Sequence, residues 1–225
     1  MLVLFGHQSV GQNILDGIEE LARAGMATPH VTGLNDPPAE DSGTTLRHFR
    51  VGSNGQPLTK IQHFERTVSG DIGRRAQAAM FKFCYVDLRE QYLAAPLFDA
   101  YAQMIDRLQR RRQNLLIAHV TMPLRAVPGG VISTARRLLG QRHPQLAANA
   151  ARDAFNARLR ARYGPTSPVF DLAAIQSGGP DAAPALLPRY TEDGGHLNEA
   201  GRRVVAREFL DFLERLAADC GAKTN

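Results

Sequence analysis

Two short segments near opposite ends of the chain contain the residue types of serine acyl chemistry. One is the segment 6–11, with the sequence GHQSVG, and the other is 193–198, with the sequence DGGHLN. A serine nucleophile needs a base that takes its hydroxyl proton and an acid that orients the imidazole of that base. The two segments therefore predict Ser9 as nucleophile, His196 as base and Asp193 as the acid that orients it.

Each segment taken alone also fits a purely structural role. A serine between a strand and a helix is an ordinary helix N-cap. The 193–198 segment could be a loop with a solvent-exposed histidine, in which Asp193 or Asn198 caps the next helix. The catalytic interpretation becomes more specific only when the two segments meet at one edge of the fold.

The hydrophobic pattern predicts how the chain positions these segments. Buried strands are predicted at 2–5, 30–34, 80–86, 115–120 and 168–172, helices at 10–24, 58–68, 96–112, 146–163 and 199–218, and a long loop at 35–57. Strands that alternate with helices indicate a parallel sheet with helices on both faces. We expect one domain over residues 1–225, a three-layer α/β/α sandwich with a mostly parallel, flavodoxin-like five-stranded sheet. In such a sheet we expect the functional site at the carboxyl ends of the strands.

Composition excludes several other classes of protein. The 225 residues are 44% hydrophobic and 22% charged with a net charge of +5, which is typical of a globular domain. The two cysteines, Cys84 and Cys220, cannot form a disulfide framework or a multi-thiolate zinc site. The sequence contains neither a metal-ligand spacing nor a phosphate-binding glycine motif. We therefore expect no cofactor and no metal.

The basic charge predicts no particular macromolecular partner. The arginines 110–112 end a predicted helix, where cations suit the helix dipole, and no aromatic residues interleave them, so we expect no nucleic acid partner. No apolar stretch is long enough to span a membrane. As written the chain predicts a cytoplasmic protein, and a leader before Met1 would instead make it periplasmic or secreted. The oligomeric state is not predicted.

Taken together, the segments resemble the SGNH/GDSL hydrolases. The block 193–198 followed by Gly201 is similar to the family's last block, and 52–55, GSNG, is similar to its second. The segments 120–124 and 169–172 also fit the family pattern, so the resemblance covers nearly the whole chain in order. It implies a serine esterase that removes a small acyl group, such as O-acetyl on a carbohydrate, through an acyl-enzyme. It also implies backbone N–H groups of Ser9 and Gly55 as oxyanion donors.

Two departures from the family pattern bear on the oxyanion hole. The first block lacks an Asp before Ser9, and the third block ends in Asp87 where the family has an Asn donor. An ionised Asp87 cannot donate a hydrogen bond. Asn54 could replace the missing donor, Asp87 could be protonated or could point elsewhere and hold a loop, or two N–H groups could suffice.

Three further residues are weighed at the predicted site. His7 could line a pocket or pack beneath it, Lys60 could meet an anionic substrate group or be solvated, and His119 is expected to be a core histidine. An O-acyltransferase on the same triad, a non-catalytic carbohydrate-binding module and a flavodoxin-like nucleotide-binding domain are the alternative functions. The partner is otherwise expected to be a small-molecule or carbohydrate ester.

Overall fold

A computed structural model describes residues 1–37, 43–129 and 143–222. The strands are β1 (Leu2–His7), β2 (His30–Gly33), β3 (Thr45–Arg50), β4 (Ala78–Phe81), β5 (Leu116–Ile117), β6 (His119–Val120) and β7 (Val169–Phe170). The helices are α1 (Ser9–Arg23), α2 (Pro57–Ser69), α3 (Asp71–Arg75), α4 (Ala94–Arg111), α5 (Pro144–Tyr163), α6 (Leu172–Ser177) and α7 (Glu199–Ala222), with 3₁₀ turns at Gln91–Leu93 and Pro188–Tyr190.

The main sheet has five parallel strands in the order β2-β3-β1-β4-β5, and β6 pairs in parallel with β7. Only Ala118 separates β5 from β6, and its N–H donates to Ala79 O of β4 at 3.0 Å. The segment 116–120 is therefore one extended stretch, whose first half pairs with β4 and whose second half pairs with β7. Without the edge strand β2, the order is that of a flavodoxin-like sheet, so the predicted α/β class is confirmed.

Alternating side chains of the strands face two hydrophobic cores, one on each side of the sheet. Val3 and Phe5 of β1 pack with α1 and α7, whereas Leu4 packs on the opposite face with α2, α4 and α5. This alternation follows from the two-residue period of a strand. It gives the three layers that the hydrophobic pattern predicts.

Strand β3 corrects the predicted loop at 35–57. Its residues Thr45–Arg50 pair with β1 and β2 inside the main sheet. Arg47 is buried there, and its Nη1 donates to Leu34 O at 3.0 Å. His48 forms a hydrogen bond with His7. These two polar residues of the strand are thus hydrogen-bonded within the sheet layer.

Two other predicted strands are shorter in the structure. β4 ends at Phe81, because the chain then turns so that Asp87 Oδ2 accepts the N–H of Cys84 at 2.6 Å. The predicted strand at 168–172 is reduced to Val169–Phe170, since Asp171 caps α6 by accepting the N–H of Ala174. The predicted helices at 10–24, 58–68, 96–112, 146–163 and 199–218 are all present, with ends shifted by a few residues.

Candidate active site

The turn that contains Asp193 and His196 is organised around one carboxylate. Asp193 Oδ2 lies 2.5 Å from His196 Nδ1, and Oδ1 accepts the backbone N–H groups of Gly195 and His196 at 2.8 Å each. Partial burial works against ionisation, but these hydrogen bonds outweigh it and hold the pKa of Asp193 well below its usual range. The ionised carboxylate requires the imidazole proton on Nδ1, which leaves Nε2 of His196 as a proton acceptor.

Neighbouring elements hold this turn from the β6 side. Gly194 O accepts the N–H of Ala126 at 3.0 Å and Nε of Arg125 at 3.2 Å. A Cβ on Gly195 would lie 2.9 Å from Tyr85 Oη, so the close approach of the turn to the Tyr85 ring requires a glycine. Tyr85 in turn meets the His196 ring edge-on, at 6.0 Å between centroids.

The turn also contacts α1. The N–H of Leu197 donates to Asn13 Oδ1 at 3.1 Å, across 184 positions of sequence. Asn13 lies four residues after Ser9, so the two side chains share one face of the helix. The structure therefore brings the Asp193–His196 turn against the helix face that begins with Ser9.

Ser9 is the first residue of α1, and Gln8 occupies the N-cap position. The ordinary-cap interpretation of Ser9 is therefore wrong. Its side chain is half-buried, and among the described ranges no hydrogen bond to it is found. The N-terminal end of a helix favours negative charge, which suits an oxyanion next to Ser9.

Gln8 is a positioning residue that the sequence reasoning missed. Its Nε2 donates to Val51 O at 2.8 Å and to Gly52 O at 3.0 Å, which ties the start of α1 to the segment 52–55. Gly52 has φ +51°, and a Cβ there would lie 2.6 Å from Lys60 N. The segment can approach α2 this closely only with glycine at that position.

Asp87 is buried and does not face an open pocket. Its Oδ1 accepts the N–H of Gly55 at 2.8 Å, and its Oδ2 accepts the N–H of Cys84 and lies 2.5 Å from Lys60 Nζ. Of the roles considered for Asp87, the one that the structure supports is to hold a loop. The expected role of Gly55 as an oxyanion donor is corrected, because its N–H is already bound to this carboxylate.

Lys60 is likewise neither solvated nor available to a substrate. Its side chain is 0% exposed and forms the ion pair with Asp87. Lys60 Nζ also donates to Asn54 Oδ1 at 2.9 Å. Since an ammonium group only donates, it must face the amide oxygen, and the Nδ2 group of the exposed Asn54 is directed away from it.

His7 packs beneath α1 and does not line a pocket. Its Nδ1 donates to Gln8 O at 2.9 Å, so Nε2 accepts from His48 Nδ1 at 3.0 Å. Burial, with help from nearby positive groups such as Lys82, lowers the pKa of His7 to about 3. His7 is therefore neutral at physiological pH and supports the strand end from which Ser9 follows.

His119 is a core residue, as expected. It stacks on Tyr163 at 3.8 Å between ring centroids, and its Nδ1 hydrogen-bonds Tyr101 Oη at 2.7 Å. Burial lowers the pKa of His119 to about 3. In the ranges 1–37, 43–129 and 143–222, no group of three His, Cys, Asp or Glu residues could hold a metal ion, and no helix is both long and apolar enough to cross a membrane.

Comparison with solved structures reveals the same fold in several ester hydrolases. A carbohydrate esterase of family 3 from Talaromyces cellulolyticus is 14% identical, with a TM-score of 0.51 over 97% of this chain and 98% of its own. A mutant acetyl esterase crystallised with an acetate ion is 13% identical, with a TM-score of 0.55 over 97% and 98%. An extracellular lipase from Streptomyces rimosus is 11% identical, with a TM-score of 0.55 over 96% and 99%.

Comparison by sequence finds no matching family model and no matching curated protein. The structural likeness is thus a likeness of fold at low sequence identity. The chain has the SGNH hydrolase fold, as the sequence resemblance implied.

Proposed function

We propose that the protein is a serine esterase in which Ser9, His196 and Asp193 form the triad. The observation that carries this proposal is the 2.5 Å contact between Asp193 Oδ2 and His196 Nδ1, in a turn anchored to α1 through Asn13. It leaves His196 Nε2 as a base, in a turn whose Leu197 N–H contacts the helix face that begins with Ser9. We take the substrate to be a small acyl ester, such as O-acetyl on a carbohydrate, since an acetyl esterase and a carbohydrate esterase share the fold.

The reaction would proceed through an acyl-enzyme. His196 Nε2 takes the Ser9 hydroxyl proton while Oγ bonds to the ester carbonyl carbon, and the imidazolium then gives that proton to the leaving alkoxide as the ester C–O bond breaks. Water repeats the sequence on the acyl-enzyme and releases the acid. Asp193 keeps the imidazole in the required tautomer throughout.

The oxyanion donors that we assign are the N–H of Ser9 and the Nδ2 group of Asn54. The Gly55 N–H is bound by Asp87, and the contact with Lys60 turns the Asn54 amide so that its donor end is free. A preorganised donor of this kind typically accounts for about 100- to 1000-fold in rate. Asn54 would therefore replace the donor that Asp87 cannot supply.

The test is Ser9→Ala assayed with 4-nitrophenyl acetate. We expect turnover to fall to the uncatalysed background while the melting temperature stays nearly unchanged, because the Ser9 side chain has no hydrogen-bond partner among the described residues. Ser69→Ala, at the end of α2 where the chain returns to the amino edge of the sheet, is the matched control and should keep full activity. Undiminished turnover in Ser9→Ala would refute the proposal.

A second candidate function is a non-catalytic module of the same fold that binds carbohydrate. The observation that favours it is that the Gly55 N–H is hydrogen-bonded to Asp87 and so is not free to stabilise an oxyanion. A fluorophosphonate probe separates the two functions. An esterase should acquire one adduct on the peptide that contains Ser9 and none after Ser9→Ala. The module should remain unlabelled at Ser9 while still binding a sugar.

A further inference from the structure

Three arginines converge on a cavity of about 370 Å³ beside the proposed catalytic turn. Arg89, Arg125 and Arg152 line it together with Tyr85, and no acidic residue is among the described residues that form its wall. Tyr85 is shared with the catalytic turn, because its ring also meets His196 and Gly195. The cavity and the proposed active site therefore share one aromatic side chain.

Arg152 is the most unusual member of this cluster, since it is only 2% exposed. Its Nε donates to Tyr85 O at 2.8 Å and its Nη1 to Asn149 Oδ1 at 2.6 Å, both neutral acceptors. A buried charge is normally paired with an opposite one, because desolvation is costly. Burial, and then the positive charges of Arg125 and Arg89, lower the pKa of Arg152 to about 10, which still leaves it protonated at neutral pH.

No carboxylate of the described residues forms an ion pair with these three arginines. Arg107, Arg160, Arg162 and Arg202 each form an ion pair with an acidic side chain, but within the described ranges Arg89, Arg125 and Arg152 form none. The described residues thus supply three adjacent cations to this cavity and no ion-pair partner to any of them.

Two further features add to the positive potential of the cavity. The N-terminal end of α5 lies in its wall through Pro144 and Gln145, and the dipole of this 20-residue helix places positive charge there. Arg125 stacks over the Tyr85 ring, with its guanidinium carbon 5.2 Å from the ring centroid, and donates to Gly194 O. The cation cluster is therefore fixed in position relative to the catalytic turn.

We propose that this cavity binds an anionic carboxylate or sulfate group of the ester substrate, so that the enzyme prefers esters whose acyl or alcohol part carries negative charge. The inference rests on the proposed esterase function for its catalytic role. Planar guanidinium groups match carboxylate and sulfate oxygens in geometry as well as charge. The bound anion would supply the counter-charge that Arg152 lacks.

The kinetic test compares charged and neutral ester pairs. Mono-4-nitrophenyl succinate against 4-nitrophenyl acetate places the charge on the acyl side, and 4-acetoxy-3-nitrobenzoate against its methyl ester places it on the alcohol side. The obvious variant, Arg152→Gln, changes a buried residue and could fail to fold. Arg89→Glu changes an exposed residue of the same cavity, and Arg110→Glu, on the exposed face of α4, is the charge-matched control.

For one of the two ester pairs, we expect Arg89→Glu to lower the ratio of kcat/KM for the charged ester to kcat/KM for the neutral ester by at least about tenfold. This is the effect expected from the loss of one charge-assisted hydrogen bond. Arg110→Glu should leave both ratios within about twofold, because exposed charges are screened. Equal ratios in the native protein, Arg89→Glu and Arg110→Glu would overturn the proposal.

A binding measurement keeps the cavity testable apart from catalysis. Inorganic sulfate is titrated calorimetrically into the native chain at an ionic strength held constant with chloride. We expect its Kd to weaken by at least about tenfold in Arg89→Glu and not in Arg110→Glu. If sulfate binds in this way but no ester is hydrolysed, the anion site stands and the esterase proposal fails; if sulfate does not bind, the anion site itself is refuted.

Discussion

Lys82 is a buried cation close to the carboxyl end of β4, and its burial lowers the free energy of unfolding. Its side chain is completely buried, and its Nζ donates to Phe83 O at 3.2 Å. Burial lowers the pKa of Lys82 to about 8 from an ordinary value of 10.5, against a weaker raising effect of Cys84 and Asp87. The unfolded chain therefore holds this proton more tightly than the folded one.

This difference fixes the sign of a pH effect on stability. Below about pH 8 Lys82 is charged in both states and destabilises the fold, and the cost fades as the pH rises from about 8 toward 10.5, where the group is neutral in both states. Lys82→Met removes that cost. We predict that it raises the free energy of unfolding at pH 7 by up to about 3 kcal/mol, since each tenfold change in proton affinity is worth about 1.4 kcal/mol.

Urea denaturation at pH 7 and pH 10 measures the effect, with Arg110→Met as the control for loss of an exposed cation. The gain for Lys82→Met should be clearly smaller at pH 10. A loss of stability at pH 7, or a gain that grows with pH, would show that burial does not penalise this lysine.

At the level of elements, Asp87 holds the loop 52–56 to the turn that follows β4. Three donors converge on this carboxylate, from Gly55, Cys84 and Lys60. We predict that Asp87→Ala destabilises the protein by about 3–5 kcal/mol, because it leaves the Lys60 ammonium buried without its counter-charge. Chemical denaturation provides the measurement.

The matched control for Asp87→Ala is Asp106→Ala. Asp106 pairs with Arg162 at 3.0 Å on the surface, where both side chains are over a third exposed. An exposed pair contributes at most about 1 kcal/mol. Equal losses from the two substitutions would mean that the buried pair is not what holds the loop.

The elements that the sequence predicted best are the long helices, whose apolar residues recur at helical spacing. Strand β3 was missed because residues 35–57 are rich in Gly, Pro, Asn, Asp and Ser, which favour a loop. Its polar residues Arg47 and His48 are satisfied in the sheet by tertiary contacts, to Leu34 O and to His7. The local sequence pattern of one segment cannot predict a hydrogen-bond partner that belongs to another element. The same limit applies to α3 and α6, which are too short for a clear periodicity.

The candidate site was predictable where one short segment contains the whole geometry. Asp193 and His196 are three residues apart, so their contact follows from the turn itself. Asp87, Lys60 and Gly55 come from three elements, and their mutual hydrogen bonds could not be read from spacing. Asn13 had one available signal, since it lies one helical turn after Ser9, but its partner Leu197 is at the other end of the chain.

On the scale of the whole molecule, the first strand and the last helix share one core. Phe209 of α7 is 0% exposed and meets Phe5 of β1 at 5.3 Å and Phe170 of β7 at 5.0 Å between ring centroids. We predict that Phe209→Ala lowers the free energy of unfolding by about 3–5 kcal/mol through the cavity it leaves. Thermal and urea denaturation test this.

Val204→Ala is the control on the same helix, because Val204 is 37% exposed. Its effect should stay within about 0.5 kcal/mol. A similar loss from both substitutions would indicate that Phe209 affects α7 alone and not its packing on the sheet.

The hydrogen bond between Asn13 and Leu197 also has a consequence for how the protein is made. On the proposed assignment the nucleophile is synthesised before its general base, since synthesis runs from the amino terminus. A growing chain holds Ser9 without His196 throughout the synthesis of residues 10–195. Chains released within that interval lack the proposed base, and on this assignment ester cleavage starts only when the turn 193–196 has docked against α1.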